Sequence, residues 1–163
     1  VAKGILRSLF LNHKELCLKP QLLASFLNRI FIQEFPHQKF YFSSLILNGV
    51  TDLLSFISCG TGSLLHLSQT STCPRKLSNT NRSIGEELNS DFFEINDNWV
   101  IGDSLILHTL DSDLDPLFLE TFKENHLFSA QGQAEAIFKK GSTHPSFSSQ
   151  KHSKTLLSIQ RVS

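Results

Sequence analysis

The sequence predicts an α+β fold in which a block of antiparallel strands lies between two helical segments. Apolar residues recur at helical spacing near the N-terminus and again after Asp115, whereas the segments between them alternate with a period of two. Helices and strands do not alternate one by one, so the parallel sheet of repeated βαβ units is not expected. With 163 residues, 40% of them hydrophobic and 18% charged, the chain is predicted to form one domain with a buried core.

Two helices are predicted before the strands. The first covers Val1 to about Leu11, and a polar linker follows it. The second covers Pro20–Phe35, because proline suits the first position of a helix and Pro36 disfavours helical backbone in the residue before it. The apolar stripe of this helix is expected to pack on a sheet through Leu22, Phe26 and Ile30.

Several short antiparallel strands are predicted next. Phe40–Cys59 is predicted to form a hairpin, because aromatic and aliphatic runs flank Asn48-Gly49, a strong turn signal. Ser63–Leu67 continues the strand pattern, and the polar stretch Ser68–Arg82 predicts a long surface loop. The remaining strands are expected at Phe92–Ile95, Ser104–Thr109 and Thr155–Val162, with a turn at Asn96-Asp97-Asn98.

Two further helices are predicted in the last third of the chain. Asp115-Pro116 is typical of a helix start, with the aspartate as N-cap and the proline at the first helical position. Ser129 is expected to cap a second helix that Gly141 ends. The Ser-, His- and Pro-rich stretch Gly141–Lys154 predicts a flexible loop.

Charge and composition exclude several classes of function. Lys+Arg and Asp+Glu both number 15, so the formal net charge is zero, and neither nucleic acid nor an anionic membrane is an expected partner. No apolar run reaches the roughly 18 residues of a membrane helix. The three cysteines lack CxxC spacing, which predicts reduced thiols in the cytoplasm. The seven histidines are scattered, mostly in predicted loops, so surface positions are expected for them.

An acidic cluster follows one of the predicted buried strands. Asp111, Asp113 and Asp115 alternate there, and carboxylate oxygens in such a pattern can hold a hard cation. A calcium-binding loop is excluded, because its sixth and twelfth positions, counted from Asp111, are Pro116 and Phe122 instead of glycine and glutamate. The alternative to a metal site is a helix cap followed by a solvated turn.

Five stretches of the chain resemble, in order and spacing, five motifs of one protein family. The second helix is similar to P-x-x-L-x-x-x-L-N-R, a later turn to P-L-G, and a late strand to G-D-x-L-L-L-Y-T. The five stretches are Pro20–Phe31, Phe42–Ser58, Ser83–Gly85, Gly102–Thr109 and Lys154–Arg161. Through them the chain resembles the SpoIIE/RsbU-like PPM-type phosphatase domain of bacterial partner-switching pathways.

The resemblance implies a fold, a function and partners. The fold is an α-β-β-α sandwich of two antiparallel sheets flanked by helices, here one partial domain over residues 1–163 that lacks its upstream strands. The implied activity is that of a regulatory protein serine phosphatase in sigma-factor regulation, which uses Mn²⁺ or Mg²⁺ and acts on an anti-anti-sigma-type phosphoprotein. The alternative is a degenerate pseudophosphatase that serves as a protein-binding module. The sequence does not decide whether the protein forms a dimer.

The chain departs from the family at the positions that bind metal. Leu110 stands where the family has an aspartate after the Y-T strand, and the D-D pair of the closing strand falls on His152 and Ser153. Thr61 stands where the A-G-H segment of the family ends in histidine. These departures put the two-cation centre of the family in doubt, because that centre needs several carboxylates.

Two aspartates remain as candidate metal ligands, and no catalytic residue is assigned. Asp111 is the main candidate, with Asp113 as a helper through water. A shift of one residue along a strand turns the side chain to the other face, so Asp111 replaces the lost ligand only if the strand end bulges. The chain alone is therefore expected to be inactive and to bind Mn²⁺ or Mg²⁺ weakly, if at all.

Overall fold

The computed structural model describes residues 2–78, 81–110, 112–149 and 154–162. Among these residues the helices are α1 (Ala2–Asn12), α2 (Lys14–Cys17), α3 (Pro20–Glu34), α4 (Asp115–Glu124), α5 (Ala130–Ser142) and α6 (Pro145–Ser149), with a turn of 3-10 helix at Ser112–Leu114. The strands are β1 (Phe42–Asn48), β2 (Leu53–Cys59), β3 (Ser63–Leu67), β4 (Arg75–Leu77), β5 (Ile95–Asn98), β6 (Ser104–His108) and β7 (Leu156–Gln160). None of the helices described is both long enough and apolar enough to cross a membrane.

The strands form two antiparallel sheets. One sheet has the strand order β1-β2-β5, and the other has the order β4-β3-β6-β7. In the second sheet Leu65 of β3 pairs with Ile106 of β6, and Ile106 pairs on its other side with Ser158 of β7. The predicted α+β architecture, with antiparallel sheets flanked by helices, is confirmed.

The chain divides into two compact units, of which the first comprises residues 2–46, 55–60 and 81–96 of the described part. Its core is centred on α3. The buried apolar side chains of α3 are Pro20, Leu23, Ala24, Leu27 and Phe31. The packing predicted for this helix is wrong for Leu22, which is 52% exposed, whereas Phe26 and Ile30 are partly buried and pack against this core.

Asn28 selects the buried face of α3. Apolar residues crowd this helix, so more than one stripe satisfies the helical period. The Asn28 side chain is buried, its Nδ2 donates to Glu87 O at 2.8 Å, and its Oδ1 accepts from Gly85 N at 2.8 Å. Gly85 has a φ of 83°, and a Cβ there would lie 2.3 Å from Gln38 O, so the turn requires glycine. These hydrogen bonds join α3, which contains the motif stretch Pro20–Phe31, to the turn that contains the motif stretch Ser83–Gly85.

The second unit comprises residues 47–54, 61–78, 97–110, 112–149 and 154–162 of the described part. In it α4 packs against β3, and α5 packs against both α4 and β7. Its core contains Leu65, Leu67, Ile106, Leu110, Leu114, Phe118, Phe122, Ile137 and Phe147. Both central strands, β3 and β6, are buried along nearly their whole length, so the side chains at their ends are buried too.

Some stretches differ from the prediction. The short elements α2, β4 and α6 lie in stretches predicted as linker or loop, because elements of three to five residues are too short to show a period. The strand predicted at Phe92–Ile95 is wrong, since β5 covers Ile95–Asn98, where the sequence predicts a turn. The physical reason is Asn81, whose side chain donates to Phe93 O and accepts from Phe93 N, both at 2.8 Å. Those backbone groups therefore do not pair with a neighbouring strand.

We predict that Asn28→Ala lowers the free energy of unfolding by about 2–4 kcal/mol, because it leaves two backbone groups beside α3 without partners. Urea denaturation followed by circular dichroism measures this change. The matched control is Asn12→Ala, since exposed Asn12 donates to Ser8 O and Ser8 Oγ within its own helix, and a loss of less than about 0.5 kcal/mol is expected. Equal losses in the two variants would contradict the role given to Asn28.

Candidate functional site

The strand β6 follows the Gly102-Asp103 turn and leads toward the acidic cluster, and a buried carboxylate contacts a buried imidazole at each of its ends. At the start of β6, Asp103 Oδ2 lies 3.0 Å from His66 Nε2. At its end, Asp115 Oδ1 lies 2.9 Å from His108 Nε2. All four side chains are at most 5% exposed. Charges buried to this degree are tolerated only when they are paired, so each carboxylate depends on its partners.

Asp103 is held by the backbone as well as by His66. Its Oδ1 accepts a hydrogen bond from Gln69 N at 2.9 Å, and its Oδ2 accepts one from Val100 N at 3.0 Å. Burial alone would raise the pKa of Asp103, but these backbone hydrogen bonds and His66 outweigh burial and hold the pKa below its usual value. Asp103 is therefore ionised at neutral pH and accepts hydrogen bonds that hold the backbone around it.

His66 lies between two carboxylates. Its Nδ1 is 3.1 Å from Asp97 Oδ2, and Arg75 pairs with the same carboxylate. An imidazolium donates to both Asp97 and Asp103, whereas a neutral ring protonated on Nε2 donates to Asp103 and accepts from Arg75 Nη2, 3.3 Å from Nδ1. In either state the ring links the turn before β6 to the pair formed by Asp97 and Arg75.

A polar cavity of about 410 Å³ opens beside His66. Its lining consists of His66, Ser68, Thr70, Ser71, Cys73, Arg75, Asn98, Val100 and Asp103. The hydroxyls of Ser68 and Thr70 lie 3.2 Å apart, and the Ser71 hydroxyl hydrogen-bonds with the backbone of Cys73. The carboxylate of Asp103 and the guanidinium of Arg75 are already paired. Among the described lining residues, therefore, no hydroxyl lies against a base that would activate it as a nucleophile.

His108 is fully buried at the other end of β6. Its Nε2 is close enough to Asp115 for an ion pair but lacks the alignment of a hydrogen bond, and its Nδ1 has no hydrogen-bond partner among the described residues. The ring packs edge-on against Phe118, with the ring centroids 5.0 Å apart. Packing and the nearby carboxylate, more than hydrogen bonds, hold this imidazole in place.

Asp115 is the first residue of α4 and not its N-cap, so the predicted capping role is wrong. The N-cap residue is Leu114, and the Asp115 side chain is buried against His108 and Lys76. Ser63 Oγ also donates to its Oδ2 at 3.3 Å. Burial alone would raise the pKa of Asp115, but the contacts with His108 and Lys76 outweigh burial and lower the pKa. Asp115 thus joins three strands to the start of α4.

The metal ligands proposed from the sequence are not brought together in the described residues. Asp111, the main candidate, lies outside those residues, as do His152 and Ser153. Asp113 lies in the 3-10 turn, is exposed, and accepts a hydrogen bond from Ser146 Oγ at 3.1 Å. The assignment of Asp111 and Asp113 as ligands therefore stays a prediction.

Leu110, which the sequence resemblance aligns with a carboxylate ligand of the family, is a core residue. It is 2% exposed and packs with the apolar side chains of β6 and α4. In residues 2–78, 81–110, 112–149 and 154–162, no three His, Cys, Asp or Glu side chains form a group that could hold a metal. The described residues therefore do not fit the carboxylate-rich two-metal centre that the resemblance implies.

The two buried histidines are absent from the sequence-based set of functional candidates. The expectation of surface positions is wrong for His66 and His108, which are 1% and 0% exposed. The signal that could have found them is their place within apolar strand segments, Ser63–Leu67 and Ser104–Thr109, where a polar side chain needs a buried partner. Their acidic partners come from elsewhere in the chain, and periodicity alone does not reveal them.

No protein-family model and no curated protein matches the sequence. Solved structures do match it. The SiaA-PP2C domain of Pseudomonas aeruginosa matches with a TM-score of 0.68 and 17% identity over 86% of this chain. PppA, a key regulatory component of the T6SS in the same organism, matches with a TM-score of 0.63 and 13% identity over 84%. The phosphatase domain of the cell fate determinant SpoIIE from Bacillus subtilis matches with a TM-score of 0.59 and 12% identity over 91% of this chain. The chain has the PP2C-type phosphatase fold.

The PP2C-type fold is the PPM-type fold that the sequence motifs predicted, so that prediction is confirmed. At identities of 12–17% the likeness extends to the fold alone. The chain spans 59% of the SiaA-PP2C domain, 66% of PppA and 70% of the SpoIIE domain. The prediction of one partial domain over residues 1–163 stays a prediction.

We predict that acid destabilises the chain through Asp103 and Asp115. A carboxyl whose pKa is lowered by folding stabilises the folded state above its unfolded pKa, about 3.9, and loses that contribution as the pH falls through the folded pKa. The free energy of unfolding should therefore decrease below about pH 4. Urea denaturation at a series of pH values tests this. Asp103→Asn should flatten the acid dependence and exposed Asp113→Asn should not, so identical profiles for all three proteins would contradict the account.

We predict unequal effects at the other end of β6. Asp115→Ala should lower the free energy of unfolding by about 3–5 kcal/mol, because it leaves the buried His108 imidazole and the Ser63 hydroxyl without their carboxylate partner. The Lys76 side chain is 32% exposed, and Lys76→Met should cost less than about 1 kcal/mol, because water screens this pair. Urea denaturation compares the two variants. A loss in Lys76→Met as large as that in Asp115→Ala would show that the lysine, and not the imidazole, is the decisive partner.

Proposed function

We propose that this chain is part of a regulatory, metal-dependent protein serine phosphatase of the PPM type. The observation that carries the proposal is the PP2C-type fold, shared with the phosphatase domain of the cell fate determinant SpoIIE and with the regulatory component PppA. The observed strand β6 and the turn before it coincide with the family motif G-D-x-L-L-L-Y-T, which adds support. The proposal thus rests on shared architecture and on a motif in its expected structural place.

The substrate that fits this proposal is a phosphoserine on an anti-anti-sigma-type protein in the bacterial cytoplasm. The SpoIIE/RsbU-like motifs support a protein substrate of this kind. The zero formal net charge also agrees with it, because the chain offers no excess of basic residues that would collect a nucleic acid or an anionic membrane. A partner-switching pathway would then be the setting of the reaction.

The proposed metal is Mn²⁺ or Mg²⁺. A second SpoIIE structure that matches the chain, with a TM-score of 0.55 and 13% identity over 75% of this chain and 56% of that one, is described as presoaked with Mn. In this chain Asp111 and Asp113 are the proposed ligands. A two-metal centre needs more carboxylates than these two, and Mg²⁺ in particular dehydrates reluctantly. The complete centre therefore requires further ligands beyond the described residues.

A second candidate function is that of a catalytically degenerate domain that binds a partner protein without hydrolysing it. The position of Leu110 favours this candidate. Leu110 is buried in one cluster with Leu114 and Phe118, so packing occupies a position that carries a ligand in the family. Moving such a side chain out of the core would leave a cavity, which is costly.

Hydrolysis by the full-length natural protein separates the two candidates. The phosphatase proposal predicts Mn²⁺-dependent release of phosphate from a phosphoserine protein, with loss of activity on chelation and a decrease of about 100-fold or more in Asp111→Asn. Binding of the phosphoprotein without hydrolysis would support the degenerate domain and contradict the phosphatase. A protein that neither binds nor hydrolyses the phosphoprotein would contradict both candidate functions.

We predict that the 163-residue chain alone binds Mn²⁺ with a Kd above about 1 mM, because two neighbouring carboxylates do not offset the dehydration of the cation. Calorimetric titration of Mn²⁺ into the chain measures this. Asp111→Asn should remove any residual heat of binding, whereas Asp91→Asn, at an exposed position that is not part of the acidic cluster, should not. Tight binding that survives Asp111→Asn would contradict the ligand assignment.

A further inference from the structure

An open groove runs along α5 beside the segment that leads into β7. Its volume is about 440 Å³. The groove is lined by Ala134, Glu135, Phe138, Lys139, Lys154 and Leu156. All six residues belong to the second unit, where α5 packs against β7, so the two walls of the groove are held together by the core of one unit.

The groove presents an aromatic ring that folding does not bury. Phe138 is 53% exposed, but its ring packs on one side against Phe147. The two ring planes meet at 87°, and the ring centroids are 5.4 Å apart. Phe147 itself is only 7% exposed and belongs to the core. Phe138 is therefore a rigid apolar side chain on a firm support, the kind of group on which an apolar anchor of a partner packs.

Two lysines line the same groove as Phe138. Lys139 follows Phe138 on α5, and Lys154 Nζ lies 4.2 Å above the centroid of the Phe147 ring. Among the described residues, neither lysine has a carboxylate within ion-pair distance, and Glu135, the single acidic residue of the lining, accepts a hydrogen bond from Gln131. The groove therefore combines an apolar floor with two lysine ammonium groups and one carboxylate, so its lining carries a net positive charge.

We propose that this groove docks an acidic peptide segment that carries one apolar anchor residue. The anchor side chain packs on Phe138, Ala134 and Leu156, and carboxylates on either side of it pair with Lys139 and Lys154. The positive rim selects acidic residues and rejects basic ones. This inference goes beyond the proposed function, because it concerns a separate surface and holds whether or not the protein hydrolyses phosphoserine.

The test is the binding of a fluorescein-labelled peptide with one leucine flanked by glutamates, followed by fluorescence anisotropy with the complete chain. The same peptide with serine in place of leucine should bind about tenfold more weakly, because the apolar burial is lost. A peptide with lysines in place of the glutamates should not bind. Raising the salt concentration should weaken binding of the acidic peptide, because exposed ion pairs are screened.

Variants locate the binding surface. The double variant Lys139→Glu, Lys154→Glu should raise the Kd of the acidic peptide about tenfold or more. The control double variant, Lys123→Glu with Lys140→Glu, makes the same change of charge at exposed positions outside the lining. The control should raise the Kd about twofold at most. Phe138→Ala should also weaken binding, and its melting curve shows whether the chain stays folded.

Several results would overturn the proposal. If the acidic peptide does not bind, or if the two lysine double variants weaken its binding equally, the groove is not its docking surface. Equal affinity for the acidic and basic peptides would remove the charge argument. Self-association of the free chain that disappears in Phe138→Ala, measured by analytical ultracentrifugation, would identify the occupant as a second copy of the chain and not an acidic peptide.

Discussion

The contacts of Asp103 with His66 and of Asp115 with His108 constrain both ends of β6, and the second unit is arranged around that strand. In the sheet order β4-β3-β6-β7, β6 lies between β3 and β7, so the register of both neighbours depends on where β6 is held. A buried carboxylate has few acceptable positions, because it must keep its donors and its counterion. A shift of β6 by one residue would separate both carboxylates from their partners. The apolar core stabilises the unit, but these polar contacts select one register from those that the core alone would allow.

This register also decides what happens to the candidate site. Leu110 follows β6 closely, and with the strand fixed its side chain lies in the core beside Leu114 and Phe118. The chain thus has the PP2C-type fold, while Leu110, which the motif resemblance aligns with a metal ligand, contributes to packing. A fold does not by itself imply an activity: the contacts at the ends of β6 hold that strand, whereas the proposed activity would need carboxylates other than Asp103 and Asp115.

Local patterns in the sequence were sufficient to predict α3, the hairpin of β1 and β2, and the strand β6, because each has a clear period or turn signal. The elements that escaped prediction, such as β4 and α6, are too short to have a period. The polar contacts escaped for a different reason. His66 and Asp103 are 37 residues apart, and Ser63 and Asp115 are 52 residues apart, so only the folded chain brings them together.

The free energy of unfolding of Leu110→Asp, measured by urea denaturation with and without Mn²⁺, tests this account most directly. If Leu110 is a core residue, the variant places a carboxylate among Leu114 and Phe118 without a partner, and a loss of about 4 kcal/mol or more is expected. Mn²⁺ should not restore the lost stability. A variant as stable as the natural chain, and further stabilised by Mn²⁺, would contradict the account, because position 110 would then face a metal site.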